Sequence, residues 1–154
     1  MYRYEDAGLR NVWLASGYTV KKTPYGAAVA IQDVEGLTGA ICRALANKPG
    51  RLTGAEFRYL RLHLGLSQKA LAKGLGNTEQ AVALWEKKGR IPLWADKQVR
   101  LLMIAHADGN EPVRKALERL AVVDRLVGSR LVVEETRRGW KSRYEALETT
   151  ESTR

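Results

Sequence analysis

The stretch QKALAKGLGNTEQAVALWE, Gln68 to Glu86, decides how this chain folds. Ala72, Gly76 and Val82 fall in it at spacings that have a physical reason. Two short helices crossing at a steep angle need a small side chain where they touch, a glycine where the chain turns through positive φ, and an apolar plug behind the second helix. Ser67 stands as the N-cap of the first helix, whose apolar positions Ala70, Leu71 and Leu75 precede Gly76. Asn77 or Thr78 caps the second, which runs to about Lys87 with Ala81, Val82 and Trp85 facing inward.

Upstream, Thr53 and Glu56 have capping-box spacing and open a helix with Phe57, Leu60 and Leu64 on one face, ended by Gly65. Downstream, Leu93, Val99, Leu101, Leu102 and Ile104 predict one or two further helices closing the core, with Pro92 near the first start. Further out, Asn11 to Ala15, Tyr18 to Lys22 and Ala27 to Ile31 read as strands of a three-stranded meander, broken by Ser16-Gly17 and by Thr23-Pro24-Tyr25-Gly26. Asp33 then caps a helix with the stripe Leu37, Ala40, Ile41, Ala44 and Leu45, which stops before Lys48-Pro49-Gly50, a module boundary. Cys42 beside that stripe is a small packing residue. Beyond the centre, residues 112–127 predict an amphipathic helix carrying Val113, Leu117, Leu120 and Val127. Leu131-Val132-Val133 and Trp140 to Tyr144 predict a terminal hairpin around Thr136-Arg137-Arg138-Gly139, and the tail frays from Glu148.

The fold class expected is mainly α, α+β overall. Residues 1–48 would form a small antiparallel sheet plus helix for dimerisation or partner binding. Residues 49–106 would form a central five-helix domain, and 107–154 a C-terminal helix with a hairpin.

The 154 residues carry 26 Lys and Arg against 17 Asp and Glu, a net charge of +9 that favours polyanionic partners. The excess is local: residues 51–100 hold ten basic and four acidic groups, whereas residues 101–154 hold ten and nine. A footprint for phosphates concentrates charge in this way, and a merely solvated surface spreads it.

One cysteine, Cys42, with His63 and His106, makes too few soft ligands for a structural zinc site, so no metal and no cofactor are expected. The opening MYRYEDAGLRNVW has charges through its first ten residues and no apolar core, so it does not read as a secretory leader, and no run approaches the ~18–20 apolar residues of a membrane span. A cytoplasmic protein without membrane attachment is the expectation. There is no G-x-S-x-G, P-loop or H-E-x-x-H, and His63 and His106 have no evident carboxylate partner, so no enzyme is expected.

Arg61, Leu66-Ser67-Gln68, Leu71-Ala72, Gly76 and Trp85-Glu86 together reproduce a helix-turn-helix pattern over roughly residues 53–104, which resembles the XRE/Cro-repressor family. Lys87-Lys88 departs from it, placing two residues before Gly89 where the family commonly has one, and predicts an altered loop after the third helix.

The resemblance implies that Thr78 to about Lys87 is a recognition helix inserted in the major groove of double-stranded DNA. Its base-contacting candidates are Asn77, Thr78, Glu79, Gln80 and Ala83, with Gln68 bracing the backbone or reaching an outer base. Gln80 suits adenine, Glu79 a cytosine amino group and Ala83 a thymine methyl. Arg51, Ser67, Lys69, Lys87, Lys88 and Arg90 are the phosphate candidates, which position without specifying. Arg61 and Glu86 occupy positions that in this family form a structural ion pair, and Trp85 is core.

Such readers act as symmetric homodimers on inverted-repeat operators, because one helix touches too few base pairs. The implied role is a transcriptional repressor that dimerises outside residues 53–90. The layout of small sheet, helix, KPGRLTG linker and Cro-like domain is also similar to zinc-ribbon antitoxins of the MqsA (YgiT) type. Ala7, Thr23 and Tyr25 stand where that family's cysteines would be expected, so the resemblance is to a zinc-free relative. The alternative function it implies is an antitoxin that neutralises a protein toxin and regulates its own operon.

Overall fold

The computed structural model describes residues 1–5, 7–107, 115, 117 and 129–146. The chain forms two compact units, residues 1–121 and 122–154.

The first unit begins with two separate two-stranded antiparallel ladders. β1 (Tyr2–Arg3) pairs with β2 (Trp13–Leu14), and β3 (Tyr18–Thr23) pairs with β4 (Gly26–Ile31). The three-stranded meander expected here is therefore corrected. Gly17, at φ 81°, turns the chain away after β2, and its carbonyl accepts from the Gln32 N–H just past β4. β2 pairs backwards instead: the Tyr4 N–H donates to Val12 O, the Tyr2 ring lies 5.4 Å from that of Tyr18, and Tyr4, Leu9 and Leu14 are buried.

α1 (Val34–Ala46) is capped by the Asp33 carboxylate, which accepts from the Gly36 N–H. A Cβ on Gly36 would overlap that carboxylate, so a larger third helical residue would push the capping side chain aside. Ile41, Cys42, Leu45 and Ala46 form the buried side, and burial pushes the Cys42 thiol up.

α2 (Gly54–His63) opens with a complete capping box: Thr53 Oγ1 accepts from the Glu56 N–H, and Glu56 Oε1 accepts from the Thr53 N–H at 2.8 Å. Burial raises the Glu56 carboxyl, but Lys48 Nζ at 2.7 Å and the Thr53 N–H together hold it below its ordinary value. Replacing Thr53 with alanine is expected to cost about 1 kcal/mol, read as a lower urea midpoint at unchanged slope.

α3 (Gln68–Leu75), α4 (Glu79–Lys88) and α5 (Leu93–Ala107) follow. Residues 49–106 thus hold four helices, because no glycine or proline interrupts the segment after Pro92 and α5 runs unbroken with Val99, Leu102 and Met103 buried. The fifth helix is α1, which packs on α5 and α2 from before the Pro49-Gly50 stretch. Buried residues from Tyr4 to Met103, together with Leu117, make one hydrophobic cluster, with Phe57, Leu60, Leu71, Val82 and Val99 at its fully enclosed centre.

Side chains of α5 clamp the chain between α1 and α2. The buried Asp96 accepts from the Leu52 N–H at 2.7 Å and pairs with Arg100 at 2.8 Å. Arg100 donates to the carbonyls of Lys48 and Gly50.

In the second unit, β5 (Ser129–Thr136) and β6 (Gly139–Ala146) form an antiparallel hairpin around Arg137-Arg138, longer in both strands than the sequence predicts. The helix expected over 112–127 lies outside the described residues except Lys115 and Leu117, which are helical; so does the tail from Glu148.

Candidate nucleic-acid interface

α3 and α4 are set against each other by local chemistry. The Ser67 hydroxyl accepts from the Ala70 N–H and the Thr78 hydroxyl from the Ala81 N–H, so each helix begins with a satisfied cap. Between them Gly76, at φ 67°, makes the reversal, and the Asn77 N–H closes it onto Ala72 O at 2.8 Å. Ala72 and Val82 are buried at the crossing with Leu71.

α4 is then tied to α2 by a buried ion pair. Arg61 donates from Nε to Glu86 Oε2 at 2.9 Å and from Nη2 to Glu86 Oε1 at 2.8 Å, with side-chain exposures of 7% and 5%. The remaining Arg61 Nη1 donates to Leu66 O at 2.9 Å, so the same guanidinium also holds the turn before α3. Gln68 is half-buried and its amide reaches Glu86 Oε1 at 3.4 Å, which places it as a brace of this pair. The opposite side of α4 is core: Trp85 meets Phe57 edge-on at 6.1 Å and Trp94 edge-on at 5.8 Å.

What remains of α4 faces solvent. Asn77, Thr78, Glu79 and Gln80 are exposed at its start and Ala83 is half-buried one turn on. The Asn77 side chain accepts from the Thr78 N–H and Thr78 serves as the cap, whereas Glu79 and Gln80 make no side-chain hydrogen bond among the described residues. Leu84 is 54% exposed, four residues after Gln80 and three before Lys87. It is not among the outward residues expected from the sequence, although the same i, i+4 spacing that places Gln80 outward marks it.

The basic residues gather at the other end of this helix. Lys87 and Lys88 form its last turn, where cations suit the helix dipole. The additional lysine is taken up by the helix and not by the loop, since α4 runs through both before Gly89 ends it at φ 73°. Lys88 and Arg90 share a shallow cleft with Leu84 and Trp85, and Arg51 reaches Ile91 O at 3.5 Å. Lys69 and Ser67 lie at the start of α3, where Ser67 keeps its O–H free to donate after accepting the cap bond.

Elsewhere in the first unit, Cys42, His63 and His106 line one cleft with Glu35 and Arg43. The His63 imidazole, tilted at 50° to the Tyr59 ring with centroids 4.2 Å apart, is held below its ordinary pKa by partial burial. Among the described residues no three His, Cys, Asp or Glu side chains lie together so as to hold a metal ion, and no helix is long and apolar enough to cross a membrane.

Residues 57–93, from within α2 to the first residue of α5, match a family model described as helix-turn-helix. Comparison with curated proteins and with solved structures returned no significant match.

Proposed function

From a helix-turn-helix segment that implies DNA as partner, we propose that this protein is a sequence-specific, non-catalytic transcriptional regulator. It inserts the first turns of α4 in the major groove, binds an inverted-repeat operator as a homodimer, and represses by covering a promoter. The observation that carries this reading is the exposed start of α4. Among the described residues Glu79 and Gln80 make no side-chain hydrogen bond, while the helix bearing them is held by the enclosed Arg61–Glu86 pair and by Trp85. Side chains free of internal partners, on a helix fixed by its other faces, are preorganised for reading an outside surface of donors and acceptors. Lys87, Lys88 and Arg90 supply the phosphate contacts, and positive helix N-termini at Ser67 and Thr78 add to them.

Selecting bound molecules from a pool of randomised duplexes, at several salt concentrations, tests the proposal. An enriched inverted repeat with half-sites about one helical turn apart is expected. Salt-dependent binding with no enriched motif would sink it and leave only a nonspecific basic surface. On the enriched site, Gln80→Ala is expected to lose roughly 1–3 kcal/mol and to leave binding to unrelated duplexes unchanged. Lys87→Ala is expected to weaken all duplexes alike and lower the salt slope by about one unit. Unchanged base preference in Gln80→Ala would show that α4 does not read the groove from this end.

A further inference from the structure

The hairpin of the second unit has two unlike faces. Its register sets Leu131 opposite Tyr144, Val133 opposite Ser142 and Glu135 opposite Trp140, so Leu131, Val133, Trp140 and Tyr144 lie on one face, each half or more exposed. The other face carries Arg130, Val132 and Glu134 opposite Glu145, Arg143 and Lys141, with ion pairs Arg130–Glu145 at 2.9 Å and Arg143–Glu134 at 3.3 Å. Among the described residues β5 pairs with β6 alone, and its other edge has a row of backbone donors and acceptors without a neighbouring strand. A lone two-stranded hairpin is marginal in water, and a third and fourth strand make it stable.

Resting on the homodimer reading above, we infer that β5 is the dimerising element and that its free edge pairs antiparallel with β5 of a second copy about a two-fold axis at Val132. The register follows from charge. Centred on Val132, pairing brings Arg130 opposite Glu134 of the second copy, twice by symmetry, and Leu131 opposite Val133, twice, along the whole of Ser129 to Glu135. Continued across all four strands, one row reads Glu145 and Arg130 of one copy, then Glu134 and Lys141 of the other, with alternating sign at every step. A centre one residue later sets Glu134 against Val132 and Glu135 against Leu131, losing both kinds of match. A half-step would turn the apolar faces to opposite sides of the sheet, because side chains alternate with period two.

The other edge does not lend itself to this. Pairing β6 with itself near its midpoint sets Lys141 against Arg143, or sets Arg143 against itself between two Lys141–Glu145 pairs, and like charges directly opposite are destabilising. Sliding it to centre on Tyr144 recovers an Arg143–Glu145 match but overlaps only Ser142 to Ala146. The surface is therefore self-complementary along β5, which a two-fold interface requires: the same patch must fit itself.

Position 132 tests this, because only a residue on the axis faces its own copy. Directly opposed antiparallel residues have Cα atoms about 4.5–5.5 Å apart, within disulfide range. In the full chain, Val132→Cys is expected to convert to a cross-linked dimer on mild oxidation. Val133→Cys, which faces Leu131, and the wild type, whose only thiol is the buried Cys42, are expected to stay as single chains on a non-reducing gel. Sedimentation equilibrium is expected to give a two-chain mass for the wild type and a dissociation constant raised about tenfold by Glu134→Lys, two cross-strand pairs being lost at once. A two-chain wild type in which Val132→Cys fails to cross-link, or links no faster than Val133→Cys, overturns β5 as the interface while leaving the homodimer standing. A single-chain mass at every concentration overturns both.

Discussion

Replacing Glu86 with alanine is expected to cost about 3–5 kcal/mol of folding stability, a large part of the total for a domain of this size. Two donors of Arg61 lose their acceptors, and this guanidinium cannot turn to water, because its side chain is 7% exposed and its third contact, Leu66 O, holds it in place. The charge is left unpaired in an interior that screens it poorly. The converse experiment separates the pair's contribution to stability from the harm of breaking it. Arg61→Met with Glu86→Leu removes both charges at similar volume and is expected to recover most of that loss, remaining below wild type by about 1 kcal/mol because Leu66 O loses its Arg61 donor. Urea unfolding followed by circular dichroism measures both. A single-variant loss below about 1 kcal/mol would mean that the pair behaves like one at the surface. The double variant also bears on DNA: if the pair's role is to aim α4, restored stability is expected without fully restored operator affinity.

Gly54→Ala is expected to destabilise by about 2–3 kcal/mol, although alanine is the better helix former. Gly54 is the first residue of α2 and is buried against the last turn of α4. A Cβ there would lie inside van der Waals contact of the Glu86 carbonyl oxygen and carbon. Rotamer changes cannot relieve an overlap with backbone, so α2 must move away from α4 and loosen Phe57 from Trp85. The measurement is a thermal or urea midpoint, with Gly65→Ala as a contrast. That glycine has open space around it, and its substitution strains only the backbone at φ 72°. If Gly54→Ala raised the midpoint, the close approach of α2 to α4 would be wrong.

The parts of the fold legible in the sequence are those whose causes lie within a few residues. Ser67 and Thr78 announce helix starts because a cap bonds an amide three positions on, and Gly76 announces a reversal because its own φ requires it. Phe57, Leu60 and Val82 are legible through period alone. The ladder of Tyr2–Arg3 with Trp13–Leu14 was not, since two residues are too few to alternate. Nor was α1 as fifth helix of the core, nor the Asp96 and Arg100 clamp. The clamp's partners lie 44 to 52 residues away, and no local pattern encodes which surface the amphipathic stripe of α1 will meet. The candidate site divides in the same way. Which residues of α4 point outward follows from helical spacing, whereas Gln68 as a brace of Glu86 depends on how α3 crosses α4.

The clamp from α5 grips only main chain: the Leu52 N–H and the carbonyls of Lys48 and Gly50. Such a grip is blind to spelling and sensitive to counting. Pro49 can be exchanged without touching any of its contacts, while Gly50 is tied to its left-handed φ of 86°. Adding or deleting one residue anywhere between Lys48 and Leu52 would carry a carbonyl off the guanidinium and an amide off the carboxylate together. Among descendants of this sequence, the length of that segment stays fixed and Pro49 is free to drift, while Lys48, Gly50 and Leu52 are held by causes of their own: the ion pair with Glu56, the left-handed φ and burial in the core.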